Sequence, residues 1–249
     1  RLSARLEEAA AIRAGVRADG TAAQSRNLLR RWQSERLART HADLLADARH
    51  HDAARFFLDE IYGLKDTAQR DADVARVAPT LTRLLPEGGL ETVADAVELD
   101  ALSEDLDAAM VKALGRKVRA LDAVVYGNAY RKVGRKDDRL RQIGLVDHLG
   151  HALDRLTRRA FAGTALRMMR KPAELAGLAE LQAFLQSGYD AFRKMGRADA
   201  FLARIIRRES AILEALFSGD DRLLDAGPEA FGGTRSEEHT SELQSPCNL

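Results

Sequence analysis

The residue types and spacings in this sequence that come closest to chemistry are histidines with acids. His148, His151 and Asp154 fall three apart, so a helix would align all three on one face, an arrangement a metal ion can use. Asp47 and His50 repeat the spacing in a smaller form. A di-iron carboxylate bundle needs Glu-x-x-His on two helices, and residues 1–234 contain none. Two histidines three apart also arise on a plain solvated face, so no metal and no other cofactor is expected. Magnesium-dependent pyrophosphate chemistry needs paired Asp-rich motifs. Asp137-Asp138 and Asp220-Asp221 stand alone and read as helix caps or termini. Nucleophilic catalysis has no Gly-x-Ser-x-Gly elbow to use, and no P-loop or dinucleotide fingerprint occurs.

One further pair of acids sits in an unusual setting, the octet Phe56-Phe57-Leu58-Asp59-Glu60-Ile61-Tyr62-Gly63, followed by Arg70-Asp71-Ala72-Asp73. At about 100° per residue, Ala54, Phe57, Leu58, Ile61 and Tyr62 share one arc of a helix. Phe56 points nearly the opposite way, beside Asp59 and Glu60. A surface helix shows one apolar stripe, so this pattern predicts a central helix covered on two sides, or one with a spare aromatic for a partner. Buried carboxylates there need cations, because a lone buried charge is very costly; Arg55 and Arg70 are nearest in sequence. Gly63 suits the residue that stops the helix, and Asp66, Asp71 and Asp73 suit capping positions of the next one. A catalytic alternative takes Asp59, Glu60 and Asp71 as acids with Arg70 as an anion clamp. The preferred reading is a binding or scaffolding protein, with Phe56, Tyr126 and Tyr130 lining a groove for a protein, a peptide or a small ligand.

Across the chain Ala, Leu and Arg dominate, and apolar residues recur every three or four positions almost throughout. That periodicity predicts an all-α fold, an irregular bundle of about eight to ten helices, without a repeat of fixed period. Helices are expected over 2–17, from Thr21 through Leu45, over 51–62, over 71–85 with Pro79 inside, and over 90–114. Further helices are expected over 122–133, 138–160, 163–170, from Pro172 to Met195, and over 198–217. Pro86-Glu87-Gly88-Gly89 reads as a break, Gly188 as a bend and Gly150 as a point of close helix approach. Arg30, Arg31, Arg36 and Arg39, and the many acids of 90–114, read as solvated faces. Trp32 reads as core.

The octet and Arg70-Asp71-Ala72-Asp73 carry a resemblance. Phe-Phe-Leu-Asp-Glu-Ile-Tyr resembles the signature of the bacterial FFLEELY-motif proteins, with Asp59 and Ile61 as conservative departures. The resemblance extends over most of residues 20–217, and it implies no established activity.

The last segment, from Arg235 onward, resembles a translated sequencing adapter, and the chain begins with Arg1 in mid-helix. The expectation is therefore one domain over 1–219 with a truncated N-terminus, then a disordered tail over 220–249 whose last part, 235–249, is artefactual. The single cysteine, Cys247, lies in that tail, so disulfide, thiol and cysteine-metal chemistry drop out of 1–234. Setting aside Arg235, Glu237, Glu238 and Glu242 turns 39 basic and 38 acidic residues into 38 and 35, a net of +3. So small a surplus argues against a dedicated nucleic-acid binder. A nucleic-acid accessory role would need a continuous positive face built from Arg155, Arg158, Arg159, Arg167, Arg170 and Lys171 with Arg204, Arg207 and Arg208. The absence of a long apolar run predicts no membrane span, and the composition suits the cytoplasm.

Overall fold

The computed structural model describes residues 20–61, 73, 76–77, 87–115 and 118–232, without the side chains at 20–22, 60–61 and 87–90. The helix expected over 2–17, most of 71–85 with Pro79, the residues Tyr62, Gly63, Arg70 and Asp71, and the segment 235–249 lie outside the described residues. Among the described residues there are ten α-helices and no strand, the all-α bundle that the periodicity predicts.

The helices run α1 (Gly20–Thr40), α2 (Ala42–Ala46), α3 (His51–Phe56), α4 (Glu87–Leu114), α5 (Ala123–Val133), α6 (Lys136–Thr157), α7 (Ala162–Met168), α8 (Arg170–Leu175), α9 (Ala179–Met195) and α10 (Asp199–Ser218). Helix α6 is the hub, packing on α4, α9 and α10, while α1 and α5 lie against α4 and α3 lies against α9. Local chemistry sets several boundaries. The Asp122 carboxylate accepts from the Val125 amide at 2.8 Å, an N-cap that starts α5. The helix expected from Pro172 to Met195 is two helices, because the chain turns through a positive φ at Gly177, between α8 and α9. Gly88 and Gly89 stand inside α4 and make no break there. Each glycine costs a helix about 1 kcal/mol. The burial of Val97, Leu99, Leu106 and Met110 further along the same helix offsets that cost.

Helix α3 passes directly into a π-helical turn, Phe57–Ile61. The wider turn changes which way the octet's side chains face. Phe56 and Leu58 are both buried, with Phe57 half-buried between them. Phe56 packs against Gly188 of α9, where an added Cβ would stand 2.8 Å from its ring, and against Phe184. Gly188 therefore serves close approach, not bending. Phe57 meets Phe192 and Phe201, with ring centroids 6.1 and 5.9 Å away, and it joins the second and third of three apolar clusters. The first cluster stacks Trp32 on Tyr126 at 4.2 Å, beside Met110, Ile212 and Leu216.

The folded part does not stop at residue 219. Short 3-10 turns at Arg222–Leu224 and Pro228–Phe231 fold back, Leu224 is buried in the first cluster and Phe231 packs against it. The tail expected to be disordered from 220 is thus ordered to 232. Leu223, Leu224 and Phe231 give this stretch enough apolar surface to dock.

Candidate functional site

The polar residues that converge inside the bundle come from faces that look like solvated helix surface in the sequence. On α1, Arg26, Arg30 and Gln33 follow i, i+4, i+7, so they lie on one side. On α4, Glu104 and Asp107 follow i, i+3 and face them. Arg26 and Arg30 both hold Glu104, with Arg30 Nη2 at 2.9 Å from Oε1. Gln33 Nε2 donates to Asp107 Oδ1 at 3.2 Å. Glu104 and Asp107 are both buried. Burial pushes the Asp107 carboxyl up from its usual range, against the opposing pull of Arg30 and Gln33.

A second group lies between α1 and α10. Arg36 Nη1 donates to both Glu209 oxygens at 2.6 and 2.7 Å, and His41 Nε2 is 3.0 Å from Oε1. Burial acts to raise the Glu209 carboxyl. The Arg36 charge and the His41 contact outweigh it and hold the group at about 2.

Arg139 of α6 completes the set. It is only 5% exposed, and its Nε and Nη2 have no hydrogen-bond partner among the described residues. Its guanidinium stands 4.5 Å from the Tyr130 ring centroid, a cation–π contact that replaces little of the lost hydration. Burial in turn pushes the Tyr130 phenol well up.

All of these residues except Arg26 and Glu104 border one cavity of about 130 Å³. Its polar end carries Arg30, Arg36, Asp107, Arg139 and Glu209. Its apolar walls include Leu44, Ile143, Val146, Ile206 and Leu213, with Phe57 and Leu58 from the octet. Among the described residues, Arg26, Arg30, Arg36 and Arg139 stand against Glu104, Asp107 and Glu209, so ionised they leave one cation over, and Arg139 is the guanidinium of this set with two nitrogens lacking a hydrogen-bond partner. A cavity of this size is comparable to one that admits benzene.

The residues singled out from sequence are distributed as follows. Tyr126 and Tyr130 line the cavity, while Phe56 is buried on the α9 side and does not. These three therefore do not line that cavity together. Asp59 pairs with Arg55 at 2.9 Å on a half-exposed surface, away from the cavity lining. Asp73 is buried, with Arg76 at 3.4 Å, and the Glu60 side chain lies outside the described residues. His148 meets Asp95 at 2.6 Å, His151 meets Asp147 at 3.4 Å, and Asp154 pairs with Arg158. No three His, Cys, Asp or Glu side chains converge as a metal site among the described residues. Arg208 is buried and bidentate to Asp43 at 2.7 and 2.8 Å, and Arg204 reaches the same carboxylate, so neither extends a free positive face.

Arg30, Arg36, Asp107, Arg139 and Glu209 were missed as site residues because each stands in a run dense with both charges. The signal available was the matched spacing of Arg26-Arg30-Gln33 and Glu104-Asp107 on separate helices, and nothing in one sequence pairs two such faces.

A family model described as Domain of unknown function (DUF8198) matches residues 13–223. No curated protein and no solved structure matches the chain.

Proposed function

This chain belongs to the DUF8198 family, a domain of unknown function, and from its geometry we propose that it is a binding protein whose interior cavity takes a small molecule carrying one carboxylate. The observation that carries the reading is Arg139, a buried guanidinium on the cavity lining with two nitrogens unpartnered among the described residues. An isolated buried charge is among the costliest features a fold can hold, and a carboxylate pairs with guanidinium in matching planar geometry. A single surplus cation favours a monoanion. A dianionic phosphate would meet the Asp107 and Glu209 carboxyls on the same wall. The octet, with its resemblance to the FFLEELY signature, enters this proposal through Phe57 and Leu58, which supply two lining side chains.

The test uses butyrate, hexanoate and benzoate as probes, followed by calorimetry and by the emission of Trp32. That tryptophan is the chain's only one, and it stacks on the cavity-lining Tyr126. At least one probe is expected to bind and alter the emission. Arg139→Met should weaken binding by roughly tenfold to a hundredfold, the worth of a charge-assisted hydrogen bond. Equal binding to the variant, equal binding of the neutral amide analogue, or no binding by any probe overturns the proposal.

A second reading, acid–base catalysis in the same cavity, is favoured by one observation. Asp107 and Glu209 both line the cavity, and their carboxyls are pushed in opposite directions, as in sites that keep an acid and a base together. Recovering a bound probe chemically altered would favour this reading; recovering it unchanged favours binding.

A further inference from the structure

Helices α7 and α8 are built inside out. Where α7 and α8 sit on α9, the residues turned inward are small. Gly163 lies against the Tyr189 ring, with its phenol oxygen 2.7 Å from where a Cβ would stand, and Ala173 is buried. Gln182 Nε2 donates to the Leu166 carbonyl at 2.6 Å and fixes α7 in place. The large apolar side chains face out: Phe161 is 83% exposed, Met168 72%, Leu175 91% and Met169 54%. A helix pair selected only for packing shows the opposite pattern. Scattered exposed apolar residues need no explanation, but four large ones within fifteen positions do. Phe161 is also held at φ +69, a conformation that bulky residues rarely adopt, and no burial compensates for it.

The same segment, 155–175, holds Arg155, Arg158, Arg159, Arg167, Arg170 and Lys171 against the single acid Glu174, in a chain whose net charge is +1. All six cations are exposed. Among the described residues two of them are in ion pairs, Arg158 with Asp154 and Arg170 with Glu174, the latter at 3.2 Å on a solvated surface where such a pair holds weakly.

We propose that α7, α8 and the loop before them form a docking surface for an anionic lipid bilayer, with Phe161, Met168, Met169 and Leu175 inserting among the acyl chains and the flanking arginines and lysine contacting lipid phosphates. Charge complementarity selects an anionic occupant. The apolar residues protrude singly, which suits a fluid phase that closes around each of them better than a duplex, whose phosphates offer them nothing. No helix among the described residues is long and apolar enough to cross a membrane, so the contact is peripheral.

The experiment is co-sedimentation of the full chain with vesicles of phosphatidylcholine alone, and of phosphatidylcholine with phosphatidylglycerol, at low and moderate salt. Binding is expected only to the anionic vesicles. The double variant Phe161→Asn, Leu175→Gln should reduce it by about tenfold or more. Asparagine tolerates positive φ, and both positions are exposed, so the thermal unfolding of the variant should match wild type. Arg170→Glu with Lys171→Glu should also abolish binding. Equal binding to neutral vesicles, or an apolar double variant that binds as wild type does, overturns the proposal. So does salt-sensitive binding to duplex DNA in place of vesicles, and so does a wild-type dimer that the double variant converts to monomer.

Discussion

Two arginines a short distance apart in the core are predicted to respond in opposite ways to the same substitution. Arg36 neutralises Glu209 through two short hydrogen bonds. Replacing it with Met strands a buried carboxylate and should destabilise the protein by roughly 3 kcal/mol. Arg139 has no hydrogen-bond partner at Nε or Nη2 among the described residues, and Arg139→Met removes a desolvated charge together with its contact on the Tyr130 ring while keeping an unbranched apolar side chain. Its cost should stay below about 1 kcal/mol, and a gain is compatible with the same argument. Urea denaturation of the two variants checks the contrast, and equal losses would contradict it. Glu209 also sets a pH dependence. Its carboxyl is held at about 2 against an ordinary 4.5, so the unfolded chain binds the proton more readily than the fold does. The contribution is complete above pH 4.5 and is lost as pH falls toward 2. Glu209→Gln should flatten that acid limb while lowering stability at neutral pH, which stability curves recorded at successive pH values will show.

At the scale of elements, apolar spacing made most helices legible, because a core-facing stripe leaves the same trace in sequence as in space. It failed where a boundary depends on something periodicity does not encode. Thr21 through Leu45 reads as one helix, yet the chain turns at His41 and starts α2 at Ala42, where Arg208 holds both the Thr40 carbonyl and Asp43. Phe56 and Phe57 read as opposite faces at the α-helical angle, and the π turn was invisible because no local residue demands it. The site was less legible than the fold. Tyr126 and Tyr130 stood out as aromatics in a chain with few, but Arg139 and Glu209 are one arginine and one glutamate among many. The contact of α3 with α9 offers a direct test. Gly188→Ala would place a methyl 2.8 Å from the Phe56 ring. Phe56 is buried with Phe184 beside it and has little room to retreat, so overpacking should cost about 1–3 kcal/mol. Phe56→Leu in the same chain should recover part of that loss, and a double-mutant cycle in thermal unfolding measures the coupling.

For the whole molecule, the bundle separates the two proposed sites by position. The cavity is lined mainly by the long helices α1, α4, α6 and α10, while the exposed apolar and basic surface belongs to the short helices α7 and α8 and the loop before them. What closes the cavity's end of the bundle is the stretch after α10. Leu224 is 1% exposed and lines the cavity, and Asp221 receives Arg131 Nη1 at 2.6 Å from α5. Arg131 also donates to the Leu216 carbonyl at 3.1 Å, near the C-terminal end of α10, so one guanidinium ties α5, α10 and the returning chain together. A chain ending at Gly219 would lose Leu224, Asp221 and Phe231 together, and would open the first apolar cluster to water. Leu224→Ala alone should cost about 2–5 kcal/mol, the range for a buried leucine. The shortened chain should lose more, and it should also lose the Trp32 response to carboxylate probes. A chain ending at Gly232 retains all three contacts and should unfold and bind as the full chain does. Thermal unfolding of the three lengths decides the matter: if ending at 219 costs no more than ending at 232, the stretch after α10 is decoration and the cavity closes without it.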